Sequence, residues 1–117
     1  MGTKWVLLVD DDSDFREAVI EFIQEAGYQA TAVANGAAAL ELLRTDRPSL
    51  MLTDFKLDDM DGRELRRRVR ALLGASAPPF ALLTGAQPSE LEDISGTILL
   101  KPIDSEQLLG LVAEHCA

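Results

Sequence analysis

Five short apolar runs punctuate the chain, and four of them end abruptly on chemistry-bearing residues. Trp5-Val6-Leu7-Leu8-Val9 is unbroken and runs into Asp10, Asp11 and Asp12. Leu50–Thr53 ends on Asp54, Phe80–Leu83 on Thr84-Gly85, and Thr97–Leu100 on Lys101-Pro102. Short continuous apolar runs suit strands covered on both faces, as in a parallel sheet. Gln29–Val33 differs. Its Ala30 and Ala32 alternate with Thr31 and Val33, which fits an edge strand.

Between these runs the period changes to that of a helix. Phe15, Ala18, Val19, Phe22, Ile23 and Ala26 form one stripe, with Glu17, Glu21 and Glu25 elsewhere. Asp14 with Glu17 reads as a capping box and Gly27 as the stop. Asn35-Gly36 opens a short alanine-rich helix over Ala37–Leu43 that ends before Pro48. A third helix runs from Gly62 to about Leu73, with Leu65, Val69, Leu72 and Leu73 inward. Arg63, Arg66, Arg67 and Arg70 fall on its opposite side. Such a row is ordinarily a solvated face, and otherwise a partner surface. Gly74–Pro79 is a loop, and Gln87–Gly96 is polar with room for one or two helical turns from Pro88-Ser89. Asp104 with Gln107 caps a last helix whose stripe is Leu108, Leu111, Val112 and His115. Strands alternating with helices predict a single doubly wound α/β domain over residues 1–117, a parallel sheet with right-handed crossovers. Ligands of such sheets bind at the carboxyl ends of the strands.

Composition narrows the class. Eleven basic against twenty acidic residues give a formal charge of −9, which argues against nucleic acid or an anionic membrane as the main partner. The single Cys116 forms no internal disulfide, and no apolar run has the length of a membrane span. A cytoplasmic protein is expected.

The strand ends carry the chemistry. Consecutive aspartates raise one another's pKa unless a cation sits among them, and a hard divalent ion such as Mg²⁺ suits such oxygens. Asp10 and Asp11 are the metal candidates, whereas Asp12 and Asp14 read as cap and solvated residues. Asp54, Thr84 and Lys101 each have an ordinary reading alone, as a strand-end carboxylate, a turn-capping hydroxyl and a solvated ammonium. Together they form a phosphoryl-transfer set: carboxylate nucleophile, metal pair, hydroxyl donor and cation.

With Val9-Asp10-Asp11, Asp54, Met60-Asp61-Gly62, Thr84-Gly85 and Lys101-Pro102 in this order, the chain resembles the receiver domain of two-component response regulators over nearly its whole length. The resemblance implies a flavodoxin-like (βα)5 domain with strand order 2-1-3-4-5. It implies Asp54 as phosphoacceptor, Asp11 as a Mg²⁺ ligand with Asp10 helping, and Lys56 as donor of a backbone carbonyl to the metal. Thr84 then resembles the switch hydroxyl, Gly85 the small residue that leaves access, and Lys101 the lysine that pairs with phosphate, before a cis peptide to Pro102. The implied partners are a histidine kinase or histidine phosphotransfer protein, whose phosphohistidine is the donor, and a downstream protein. No direct nucleic-acid contact, membrane insertion or classical enzyme activity is implied, only self-phosphorylation and autodephosphorylation.

The chain departs from the family in four places. Asp58 stands where proline is usual, which predicts a looser loop, with Asp58 and Asp59 solvated. Ile98 stands at the switch position that usually holds an aromatic ring. Thr84 and Lys101 are only 17 positions apart, so the fourth helix is expected to be stunted. Lys56 and Ala86 occupy positions that tune phosphate lifetime. Two other readings compete. A pseudo-receiver would bind protein without phosphorylation. A haloacid-dehalogenase-like phosphatase would need Thr or Val where Asp14 stands, and a cap domain that this length leaves no room for.

Overall fold

The computed structural model describes residues 4–85 and 97–116. The five strands are β1 (Trp5–Val9), β2 (Gln29–Val33), β3 (Leu50–Asp54), β4 (Phe80–Thr84) and β5 (Thr97–Leu100). All pair in parallel, in the order β2-β1-β3-β4-β5. The expected sheet order is therefore the observed one. The helices are α1 (Ser13–Glu25), α2 (Gly36–Leu43), α3 (Gly62–Leu73) and α4 (Ser105–Cys116), with a 3₁₀ turn at Gly74–Ser76. The stunted helix expected within Gln87–Gly96, and Ala86, lie outside the described residues.

Strand alternation divides the interior in two. Val6 and Leu8 of β1, Leu50 and Leu52 of β3, and Ala81 and Leu83 of β4 pack with Val19 and Ile23 of α1 and Leu108 and Val112 of α4. On the other face Leu7, Val9 and Met51 meet Ala39 and Leu43 of α2 and Leu65 and Val69 of α3. Successive side chains of a strand point to opposite faces, so continuous apolar runs feed both layers. In the edge strand β2, Gln29 and Thr31 are exposed while Ala30 and Ala32 are half-buried.

The helix ends depart from expectation in one detail. Asp12, not Asp14, caps α1 and accepts from Asp14 N and Phe15 N at 3.0 and 3.2 Å. The helix thus starts two residues earlier than the capping-box pattern suggested, and Asp14 lies inside its first turn. At the other end Gly27 takes φ +96°. Its N–H donates to Gln24 O and that of Tyr28 to Ile23 O, closing a Schellman motif. Asn35 caps α2 through Ala38 N at 2.8 Å, and Asp61 caps α3 through Glu64 N at 2.8 Å. Ala18 and Ala26 of the expected α1 stripe are exposed. Leu72 of α3 is also exposed, at 45 %. At about 100° per residue it sits on the rim of a stripe centred near Val69, facing the small residues of α2.

Candidate functional site

Because β1, β3, β4 and β5 are adjacent, their carboxyl ends bring Asp10, Asp54, Thr84 and Lys101 to one edge. Asp10 follows β1 and is fully buried. Its Oδ1 accepts from Asp12 N at 2.9 Å, and its backbone carbonyl accepts from Arg16 Nη1 at 2.8 Å. Asp54 ends β3 and is half-buried. Lys101 reaches back across the edge, with Nζ 3.2 Å from Asp10 Oδ2 and 3.2 Å from Asp54 Oδ1. The ammonium also lies 4.3 Å from the centre of the Phe15 ring. Lys101 N donates to Thr84 O at 2.8 Å, and the peptide to Pro102 is cis.

Thr84 is 3 % exposed at the end of β4, one strand from Asp54. Ile98 is half-buried in β5 and stands opposite Leu82. Asp11 is exposed, with a carboxylate oxygen close to those of Asp10 and Asp54. One oxygen of each lies within 4.8 Å of the others. Three carboxylates at that spacing fit a hard divalent cation with oxygen ligands.

The electrostatics match this crowding. Desolvation raises the Asp54 pKa, Lys101 opposes it, and Asp10 and Asp11 add to the rise. Asp11 is raised by desolvation and then by the hydrogen-bonded Asp58 carboxyl beside it. Desolvation would lower Lys101, but the charges of Asp54 and Asp10 outweigh it and the ammonium is held above its ordinary value. A bound cation relieves this carboxylate repulsion.

Backbone hydrogen bonds cross the loop after Asp54. Lys56 and Asp61 form an isolated antiparallel bridge. Leu57 N donates to Met60 O at 3.2 Å and Gly62 N to Phe55 O at 2.6 Å. Asp59 is not simply solvated. Its Oδ1 accepts from Gly36 N at 3.0 Å and its Oδ2 from Ala37 N at 2.9 Å, at the start of α2. Desolvation works to raise this carboxyl, but the two amide donors prevail and its pKa lies below the ordinary value. Asp58 is exposed, as expected, and its carboxyl is hydrogen-bonded to that of Asp11. Met60 packs over Gly36, where an added Cβ would lie 2.6 Å from the thioether sulfur. Sequence reasoning missed Phe15, Arg16 and Asp59 as supports of the site. Phe15 carried only a helix-stripe signal, and the loop that Asp59 bridges has no periodicity to reveal its partner.

Comparison with known proteins agrees with this architecture. The family model described as response regulator receiver domain matches residues 6–113. An uncharacterized 14.6 kDa protein of Leptolyngbya boryana is 34 % identical over 95 % of this chain and 88 % of its own length. The response regulator receiver protein CpdR of Brucella abortus is 45 % identical over 56 % of this chain and 54 % of its own. The chain spans about half the length of the transcriptional regulatory protein CseB of Streptomyces coelicolor, at 32 % identity over 92 % of this chain and 47 % of that protein. Among solved structures, a response regulator receiver protein from Pseudomonas putida superposes with a TM-score of 0.87 at 28 % identity, covering 97 % of this chain and 98 % of that one. The chemotaxis response regulator CheY4 of Vibrio cholerae gives 0.83 at 27 %, covering 97 % and 98 %. The match over residues 6–113 and the shared sheet together identify the family: this chain belongs to the receiver domains of response regulators.

Proposed function

We propose that Asp54 accepts a phosphoryl group from a phosphohistidine on a histidine kinase or histidine phosphotransfer protein, and that the phosphorylated domain changes its hold on a downstream protein. The observation that carries this is Lys101 Nζ standing 3.2 Å from carboxylate oxygens of both Asp10 and Asp54 at one strand edge. Asp10, Asp11, Asp54 and the Lys56 backbone carbonyl would hold Mg²⁺. The bound ion would neutralise charge on the transferring oxygens.

The chain's own groups then have defined tasks. An Asp54 oxygen attacks phosphorus, a P–O bond forms, and the P–N bond to the donor imidazole breaks. The electron pair stays on the imidazole nitrogen, which takes a proton. Lys101 follows the negative charge from the free carboxylate to the phosphoryl oxygens. The Thr84 hydroxyl donates to one of those oxygens. Hydrolysis reverses the loading: water attacks phosphorus, the P–O bond to Asp54 breaks, and phosphate leaves. With Ile98 in place of an aromatic ring, the response to Thr84 involves no ring swing. The domain acts on itself alone, in the cytoplasm where its donor presents phosphohistidine.

Intact mass after incubation with acetyl phosphate tests this reading. A gain of one phosphoryl group that requires Mg²⁺ and is absent in Asp54→Asn is expected. Failure to take up phosphoryl from both acetyl phosphate and a phosphorylated kinase, with no binding of beryllofluoride, would overturn it.

A further inference from the structure

Lys101 is held from two sides. On one side its ammonium faces carboxylate oxygens of Asp10 and Asp54, each at 3.2 Å. On the other it stands over the Phe15 ring, 4.3 Å from the centroid. The face of an aromatic ring is its negative side, and an ammonium within about 6 Å of the centroid is attracted to it.

The place of the ring follows from the start of α1. Asp12 caps the helix by accepting from Phe15 N at 3.2 Å, and Arg16 N donates to Asp12 O at 3.0 Å. Arg16 Nη1 in turn bonds the Asp10 carbonyl. Phe15 therefore sits in a first turn tied to the strand end that carries Asp10 and Asp11. The ring is half-buried and packs against the layer that holds Val19 and Ile23. Any large apolar side chain would fill such a place, but an aliphatic one offers no negative face.

The chemistry of the edge gives that face a use. The carboxylates that hold Lys101 belong to the set that fits a divalent cation. Once they serve a cation, the ammonium loses its share of them and meets a like charge. The Lys101 side chain is 28 % exposed, so a route into solvent is open, and a freed lysine stem gains rotamer entropy by taking it. The ring opposes that escape. It carries no net charge, so it attracts the ammonium without competing for the carboxylates as a counter-ion would.

We propose that Phe15 is a positioning residue for Lys101: the face of its ring keeps the ammonium at the strand edge while Asp10 and Asp54 are engaged, on hand for the phosphoryl oxygens. The proposal rests on the reading of Asp54 as phosphoryl acceptor.

Calorimetric titration of beryllofluoride, a phosphoryl mimic, into the intact chain in Mg²⁺ tests it. The proteins are wild type, Phe15→Tyr, Phe15→Leu and a chain with pentafluorophenylalanine at position 15. The fluorinated ring keeps nearly the same shape, but its face is drained of negative charge. Phe15→Tyr is expected to bind within about twofold of wild type, and the other two about three- to thirtyfold more weakly. Circular dichroism should match wild type throughout, and affinity for Mg²⁺ alone should not fall. NMR supplies a readout that packing alone would not move. Lys4 and Lys56 are the other lysines of the chain, so the Lys101 ε-methylene signal can be assigned by its absence in Lys101→Arg. With Mg²⁺ present it should lie upfield, in the ring current, in wild type and Phe15→Tyr, and return to its ordinary position in Phe15→Leu. Wild-type beryllofluoride affinity in the folded Leu or fluorinated protein would overturn the proposal. So would a matching loss of Mg²⁺ affinity, or an ordinary Lys101 signal in wild type. Failure of the acceptor reading looks different: wild type itself would take up neither beryllofluoride nor phosphoryl, whatever stands at position 15, and the proposal would fall with it.

Discussion

Asp59 shows how much one carboxylate can tie together. It joins the loop that follows Asp54 to the first turn of α2, across a chain separation of 22 and 23 residues. Asp59→Ala removes a helix cap, and a loss of about 1 kcal/mol is expected at neutral pH. The folded pKa of this carboxyl is lowered, so its contribution is present above the ordinary carboxylate value and is lost as pH falls through the depressed one. Urea unfolding of both forms from pH 7 downward should show the gap closing only in acid. Lys56 is exposed two positions after Asp54, and with Asp54 as the proposed phosphoryl acceptor its ammonium would screen the phosphoryl oxygens from water. Lys56→Asn is expected to shorten the lifetime of the aspartyl phosphate, followed by loss of the added mass over time. An equal or longer lifetime in the variant would reject that role. Asp10, Asp54 and Lys101 were legible in the sequence because each breaks an apolar run at its end. Asp59 was not, because its partners are backbone amides, which carry no residue identity.

Among the elements, the strands were the easiest to read. Continuous apolar runs mark β1, β3 and β4, and alternation marks β2 as an edge. Helix periods were legible, but helix starts were not wholly so. Asp12 and Asp14 both fit a cap pattern, and only the path of the chain leaving β1 selects Asp12. Leu72 follows the α3 period yet stays exposed, because burial also depends on how far the neighbouring helix reaches. The start of α3 is held by close packing instead. A Cβ on Gly62 would lie 2.5 Å from Leu82 Cδ2 and 3.3 Å from the Phe55 backbone. Gly62→Ala is expected to destabilise the fold by about 1–3 kcal/mol. Gly36→Ala should cost less, since the Met60 side chain that it meets is flexible. Denaturant midpoints of the two variants check the order.

The whole molecule trades stability for a charged edge. Asp11 stands among carboxylates, and its raised pKa means that its ionised form opposes folding at neutral pH. Asp11→Asn should therefore melt higher than wild type in a chelator. It should gain less from Mg²⁺, whereas wild type gains about 2.7 kcal/mol when the ion stands at a hundred times its Kd. Thermal melts of both proteins, with chelator and with Mg²⁺, separate the two effects. A wild type indifferent to Mg²⁺ would contradict the metal assignment.

β1, β3, β4 and β5 stand side by side, and β2 lies outside them. The distances between Asp10, Asp54, Thr84 and Lys101 are thus set by strand spacing, about 4.8 Å per step, and β2 contributes no group. Tolerance to insertion and deletion should be lopsided as a result. Losing one residue inside β3 would turn Asp54 to the opposite face and dismantle the edge. Extra residues in the turn around Gly27, which leads only to the outermost strand, should leave those four groups in step. That turn is where a tag or a grafted segment can enter the chain while the edge holding Asp10, Asp54, Thr84 and Lys101 keeps its dimensions.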